Sequence, residues 1–397
     1  MIPLALAAAL AGLSGALILP LEPRHGGGYS IAGRAFMLAP LVLTFSSVFA
    51  SPALAALTVA LAIALLARRA HDAFHTECAL KVLWVAGAAL ALSAAGCALM
   101  SALTSTTAPR EQWAVLGLEL EPSTLWRTAL PLTLIVGLVL LGAAPFHFWP
   151  SDVLQGAFPA LAPLAVVALQ VAGAGWLSWR LEGVHACPAA AEQSAHVLES
   201  VASIGFVAGA ATLLVQREPE RRVGALAGLN GALLLAALSA GQRLSDSALA
   251  SQPDAIAAWA AHLALALTGA GILSRFTPAA TPEAQTAAVL FRRHPWSAAA
   301  GLYAQLSLAG APGTPGSLVW FMVARDVVRS SPLWLVIALG LAWLAAFATV
   351  VRHTVAACGV RTTQPPPEAP VPFSARAALW VCGLTLAADF AGRMLWR

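Results

Sequence analysis

Apolar runs long enough to cross a bilayer recur from one end of the chain to the other. A crossing helix needs about 20 mostly apolar residues. Twelve stretches qualify: 2–20, 35–49, 51–67, 78–104, 127–144, 156–179, 199–216, 223–241, 254–274, 296–330, 333–352 and 373–393. Between them lie only short polar stretches, such as 21–34, 105–126, 181–197, 276–295 and the Pro-rich 362–372. None is long enough for a soluble domain. The expectation is one polytopic all-α membrane domain over 1–397, with about twelve transmembrane helices. The first run carries no basic residues ahead of its apolar core, so it reads as a retained helix and not as a cleaved signal.

The tenth run is too long for one straight crossing and contains Gly310, Pro312, Gly313, Pro315 and Gly316. Proline removes a backbone donor and glycine weakens a helix. One span broken at about 310–317 is therefore expected. Broken helices at membrane depth are tolerated where the freed backbone lines protein or water.

Composition agrees. Of the 397 residues 59% are hydrophobic and 10% charged, against about 25% charged in soluble domains. Soluble, disordered and nucleic-acid-binding classes are excluded, and a net charge of +4 is too thin for a phosphate footprint. With both ends outside, 14 of the 22 basic residues fall on the inner side, the bias that bacterial inner-membrane proteins show. No GxGxxG, Walker A, CxxC or HExxH pattern occurs, so no cofactor and no metal is expected. Of the five cysteines, Cys78, Cys97 and Cys382 lie in apolar runs and read as core packing.

Ionisable groups inside spans cost roughly 2.5–3.5 kcal/mol each and are candidates for function. Glu77 and Lys81 stand four apart, placed to pair on one helix face. His147 and Asp152 flank Trp149-Pro150 at a turn, where Asp152 reads as a residue that caps or anchors the turn before the next span. His262 lies inside a span, where a lone histidine is more often a hydrogen-bonded core residue. Asp389 precedes Arg393 by four, and Asn230 reads as interhelical glue. The chain has 21 arginines and a single lysine, Lys81. Arginine does not deprotonate in proteins, so a lysine-to-lysine proton relay has almost nothing to work with.

The run Pro145 to Ala157, PFHFWPSDVLQGA, resembles the PFHxWxPDVYxGAP signature of the antiporter-like membrane subunits of respiratory complex I, the N-type most of all. Other segments agree in order. Glu77 to Ala88 resembles EAALKYFLLGA, Gln216 to Ala225 resembles the QxxxKRLLAY loop, and Leu306 to Gly316 resembles SLAGIPPTAGF at the break of a discontinuous helix. The likeness covers about 36–353, leaving 2–20 and 373–393 as extra terminal helices. The chain is shorter than an ordinary N-type subunit, as if about two N-terminal helices were missing. Mrp-type antiporters and membrane-bound hydrogenases have subunits of the same family.

This resemblance implies a subunit that sits among other membrane subunits in a lipid bilayer and moves protons or Na⁺ through buried charges. Carried over position by position, the family's lysines fall on Leu140, Gln170 and Trp320, and its glutamate near Ala62. None of these side chains titrates near neutral pH. Three expectations follow. The chain is a membrane-arm subunit of a complex I-like, proton-translocating NADH-quinone oxidoreductase assembly, with no redox centre of its own, its relay lost and its role mainly that of a spacer. Alternatively it conducts protons or Na⁺, in that or a related complex, through Glu77, Lys81, His147, Asp152 and His262. A stand-alone secondary transporter is the third reading, though no carboxylate or base sits at 310–320.

Overall fold

The computed structural model describes residues 13–14, 59–60, 62–63, 73–118, 124–157, 162–244, 253–275, 294–359 and 371–395. The expected spans 2–20, 35–49 and 51–67 therefore lie almost wholly outside the described residues. Everything regular that is described is helical, and no strand occurs among the described residues.

Among the described residues twelve α-helices follow in order. They are α1 (Ala73–Thr104), α2 (Pro109–Leu118), α3 (Leu125–Leu140), α4 (Phe148–Gly156), α5 (Ala162–Arg180) and α6 (Pro188–Val215). The chain continues through α7 (Pro219–Arg243), α8 (Pro253–Arg275), α9 (Pro295–Leu308), α10 (Pro315–Ser330), α11 (Leu333–Gly359) and α12 (Phe373–Leu395). Seven of these, α1, α5, α6, α7, α8, α11 and α12, are long and apolar enough to span a membrane. At 16 residues α3 is shorter, and the halves α9 and α10 have 14 and 16. A count of twelve crossings is thus not reached among the described residues, because the break divides one span and the N-terminal runs lie outside them.

Burial sorts the helices into an inner and an outer set. The most apolar stretch of α7 is wholly buried, and those of α8 and α5 are 94% and 89% buried. The corresponding share in α1 is 28%. A helix apolar all round and buried all round is a core helix. Those of the rim keep large apolar side chains outward, Trp84, Ile204, Leu341 and Leu384 among them, as a lipid-facing surface requires.

Small residues set the closest contacts. A Cβ on Gly231 of α7 would stand 2.1 Å from the Leu141 carbonyl oxygen, and one on Gly224 would stand 2.3 Å from the Ser151 Cα. The turn 141–147 and the start of α4 thus rest on a glycine face of α7. Ser151 Oγ donates to the Arg221 carbonyl at 3.1 Å and fixes the same seat. Between α3 and α5, Gly137 and Gly173 make the equivalent close approach.

Two segments read as polar connections are in fact helical. α2 lies within 105–126, and α6 begins at Pro188, eleven residues before the apolar run that marks it. Proline at the first helical position suits that start, where its missing N–H costs nothing.

Candidate ion-path residues and the helix break

At one end of the bundle, charges alternate across three helices. Lys81 Nζ lies 2.7 Å from Glu77 Oε1 and 2.9 Å from Asp152 Oδ2. Arg221 Nη2 reaches Asp152 Oδ1 at 3.2 Å, and its Nη1 donates to Gln155 Oε1 at 3.0 Å. The Glu77–Lys81 pair is the one their spacing leads to. Of the two roles read for Asp152, the structure gives the anchor and not the cap: it is the fifth residue of α4, the cap position belongs to His147, and its carboxylate ties α1 to α7. A residue that caps spends its oxygen on backbone N–H groups, whereas both oxygens here meet cations. His147 is half-buried, and its Nδ1 is buried with no hydrogen-bond partner among the described residues.

Deeper in the bundle the polar groups are neutral. Gln170 of α5 is fully buried, and its Nε2 donates to the carbonyls of Leu141 at 2.8 Å and Ala227 at 2.9 Å. It joins α5 to the turn and to α7. Asn230 Nδ2 donates to the Leu226 and Leu308 carbonyls, both at 2.9 Å. The second bond caps a carbonyl that α9 leaves free where it ends. Three oxygen or nitrogen atoms in this layer, Gln170 Oε1, Asn230 Oδ1 and His262 Nδ1, are buried without a partner among the described residues.

The helix break runs from Ala309 to Thr314, so Pro315 and Gly316 open α10 and do not lie in the gap. Gly310 and Gly313 have φ of +67° and +84°, a region that favours glycine. The freed carbonyls find side-chain donors. Trp343 Nε1 donates to Gly310 O at 3.0 Å, Tyr303 Oη to Gly313 O at 2.9 Å, and Thr314 Oγ1 to Ala311 O at 2.7 Å. Ser307 Oγ accepts the Gly316 N–H at 3.1 Å and lies 2.9 Å from His262 Nε2. His262 is thus tied to both halves of the broken helix. The Trp320 ring closes the break: a Cβ on Gly310 would come within 2.4 Å of its Cδ1.

The four positions on which the resemblance leads one to expect charges are all buried. Ala62 is 0% exposed, Leu140 1%, Gln170 0% and Trp320 4%. Trp320 also packs against Phe206, with ring centroids 6.4 Å apart.

Two buried charges escaped the sequence reading. Glu199 of α6 is 0% exposed, and its Oε2 pairs with Arg243 of α7 at 3.1 Å. Starting the span at 199 placed this carboxylate at a helix end, when it lies three turns inside. Proline at 188, as a helix start, was the signal that marks it as interior. Arg180 at the end of α5 is 1% exposed. Its Nε donates to Thr133 Oγ1 at 3.1 Å and its Nη1 to Gln112 Oε1 at 2.5 Å, with the guanidinium 4.7 Å from the Trp113 ring centroid. Gln112 and Trp113 belong to α2, the helix within the polar stretch 105–126. Asp326 with Arg325 and Asp389 with Arg393 make ion pairs at 2.8 Å, the second as its spacing leads one to expect.

No protein-family model matches the chain. Over 222 residues it is 28% identical to the NADH-quinone oxidoreductase subunit N of Hydrogenovibrio crunogenus, a stretch covering 54% of this chain and 44% of that relative. The match therefore spans less than half of the relative's length. Among solved structures, a chain of respiratory complex I from Thermus thermophilus with bound aureothin superposes with a TM-score of 0.64 at 23% identity, covering 98% of this chain and 92% of that one. A chain of the membrane-bound sulfane sulfur reductase, an archaeal respiratory membrane complex, gives 0.79 at 15% identity, covering 98% and 78%. One of the Mrp complex from Dietzia sp. gives 0.75 at 13%, covering 99% and 80%. The chain is an integral, multi-pass membrane protein with the antiporter-like fold of these membrane complexes, and its sequence is similar to that of a complex I subunit N.

Proposed function

We propose that the chain is a membrane-arm subunit of a complex I-like, proton-translocating assembly in a bacterial inner membrane, and that it acts mainly as a spacer. It keeps neighbouring membrane subunits packed while its own relay is lost. The observation that carries this is the closed packing at the relay positions. Leu140 and Trp320 are buried and apolar, and the Gln170 amide is committed to two backbone carbonyls. A proton path needs titratable groups or water within hydrogen-bond reach of one another. Here Glu77, Lys81 and Asp152 neutralise one another at one end, together with Arg221. His262 stands apart at the break, bonded to Ser307.

A second reading keeps conduction of protons or Na⁺ through Glu77, Lys81, His147, Asp152 and His262. It is favoured by the buried atoms of His147, Gln170, Asn230 and His262 that have no partner among the described residues. Water bridging such atoms would extend a path between the two charged regions.

Reconstitution in liposomes with a pH-sensitive dye separates the two. The spacer reading expects flux no greater than that of empty liposomes. Flux above that level, abolished by His147→Ala or Glu77→Gln, supports conduction and rejects the spacer. Blue-native gels of the native membrane test the assembly: a band far heavier than this chain supports it, and migration as a lone subunit favours a stand-alone transporter.

A further inference from the structure

A cavity of about 20 Å³ opens between α6, α7, α9 and α11, at the end of the bundle that carries Arg217, Arg221 and Arg352. Its polar lining is Arg222, Gln305, Thr349 and His353. Gln305 and Thr349 are 5% and 3% exposed and form its floor, while Arg222 and His353 are half-buried at its mouth. Arg222 Nη2 and Thr349 Oγ1 are both buried with no hydrogen-bond partner among the described residues. Both are donor groups.

Arg222 and Thr349 both line this space and each carries a donor without a partner among the described residues, and no carboxylate is among its described lining residues, a combination that calls for an anionic oxygen. The volume suits one such atom, since about 10–15 Å³ admits a single water-sized oxygen. The first turn of α7 begins here at Pro219, and the Glu218 side chain does not cap it. The helix end therefore adds a partial positive charge. Glu218 and Glu220 stand on the same turn and oppose an anion, but neither lines the cavity. Arg217 and Arg352 join Arg222 in outweighing them, whereas Arg221 is held by Asp152.

The surroundings are apolar and face outward. Leu214 and Val215 at the end of α6 are 54% and 79% exposed, and Val351 and Val355 on α11 are 37% and 65% exposed. We propose that this cavity is the headgroup site of an anionic phospholipid. One phosphate oxygen sits between Arg222 Nη2 and Thr349 Oγ1, and an acyl chain lies along the α6–α11 aliphatic rim. A zwitterionic headgroup would place its ammonium among Arg217 and Arg352, so phosphatidylglycerol fits and phosphatidylcholine does not.

The test is native mass spectrometry of the full chain in a neutral detergent, titrated with each lipid, alongside thermal unfolding. Phosphatidylglycerol should remain bound, and phosphatidylcholine should bind at least about fivefold more weakly. Thr349→Val, which keeps the side-chain volume, and Arg222→Gln should each lower phosphatidylglycerol occupancy by about that factor. Arg217→Gln removes the same charge outside the cavity and should not. Equal binding of the two lipids, or equal losses in Arg217→Gln and Arg222→Gln, would overturn the site. Stabilisation by inorganic phosphate as large as by phosphatidylglycerol would overturn the lipid assignment. Retention of neither lipid would leave an ordered water only and overturn both.

Discussion

Asp152 of α4 and Lys81 of α1, 71 residues apart in sequence, meet at 2.9 Å. The contact matters because Asp152 serves two cations at once, with Arg221 of α7 on its other oxygen. The turn carrying the PFHFW run is thereby held from both sides, by α1 and by α7.

The order of stabilities within this network follows from who is left unpaired. Exposed ion pairs contribute about 0.2–1 kcal/mol each. Glu77 is 56% exposed and makes one pair, so Glu77→Gln should hardly move the unfolding temperature. Asp152 is 14% exposed, and Asp152→Asn leaves Lys81 and Arg221 facing each other without it. Its loss should be clearly larger, about 1–3 kcal/mol. Thermal unfolding of the two purified variants decides, and the reverse order would mean the network does not hold α4 in place.

Gln170 should prove structural. Gln170→Leu removes one Nε2 that serves two carbonyls, Leu141 O and Ala227 O, and leaves both buried. A buried acceptor left unmet costs about 1–3 kcal/mol. The expected outcome is a lower unfolding temperature with no change in liposome proton flux. A change in flux without loss of stability would place Gln170 in a path instead.

Gly310→Ala should disrupt the break more than Gly313→Ala. Both glycines have positive φ, a cost of about 1 kcal/mol or more for alanine. At Gly313 a Cβ meets nothing within 4 Å, whereas at Gly310 it meets Trp320 at 2.4 Å. Comparable unfolding temperatures for the two variants would show that Trp320 yields freely.

The length and apolarity of the runs made the spanning helices legible, and the Gly-Pro cluster located the break to within a few residues. What sequence could not show was lateral. Glu77 and Lys81 are four apart and so predict their own contact, but nothing in the string brings Asp152 to Lys81 or Glu199 to Arg243. Those pairs depend on which helix faces turn together: the glycines of α7 seat the start of α4, and Gly205 and Gly209 of α6 let that helix approach α7. α2 stayed hidden for another reason. Its ten residues are too polar for a span and too short for a strong period. Their role, covering Arg180 with Gln112 and Trp113, exists only once α5 is in place.

Placing lysine at Leu140, Gln170 and Trp320 together tests whether the bundle has room for a relay. Each lysine costs roughly 2.5–3.5 kcal/mol at membrane depth unless water or a counter-charge reaches it. The triple variant should therefore unfold at a lower temperature. Losing the Trp320 ring uncovers Gly310 and the break, next to His262 and Ser307. Water entering there would meet Asn230 Oδ1 and His262 Nδ1, neither of which has a hydrogen-bond partner among the described residues. Dye-monitored flux should rise above wild type, since lysine can gain and lose a proton where leucine and tryptophan cannot. The single Leu140→Lys variant should not conduct, because Trp320 still fills the break. If the triple variant loses stability and gains no flux, the packing at these positions is more than a plug in an otherwise intact channel, and the route itself is gone.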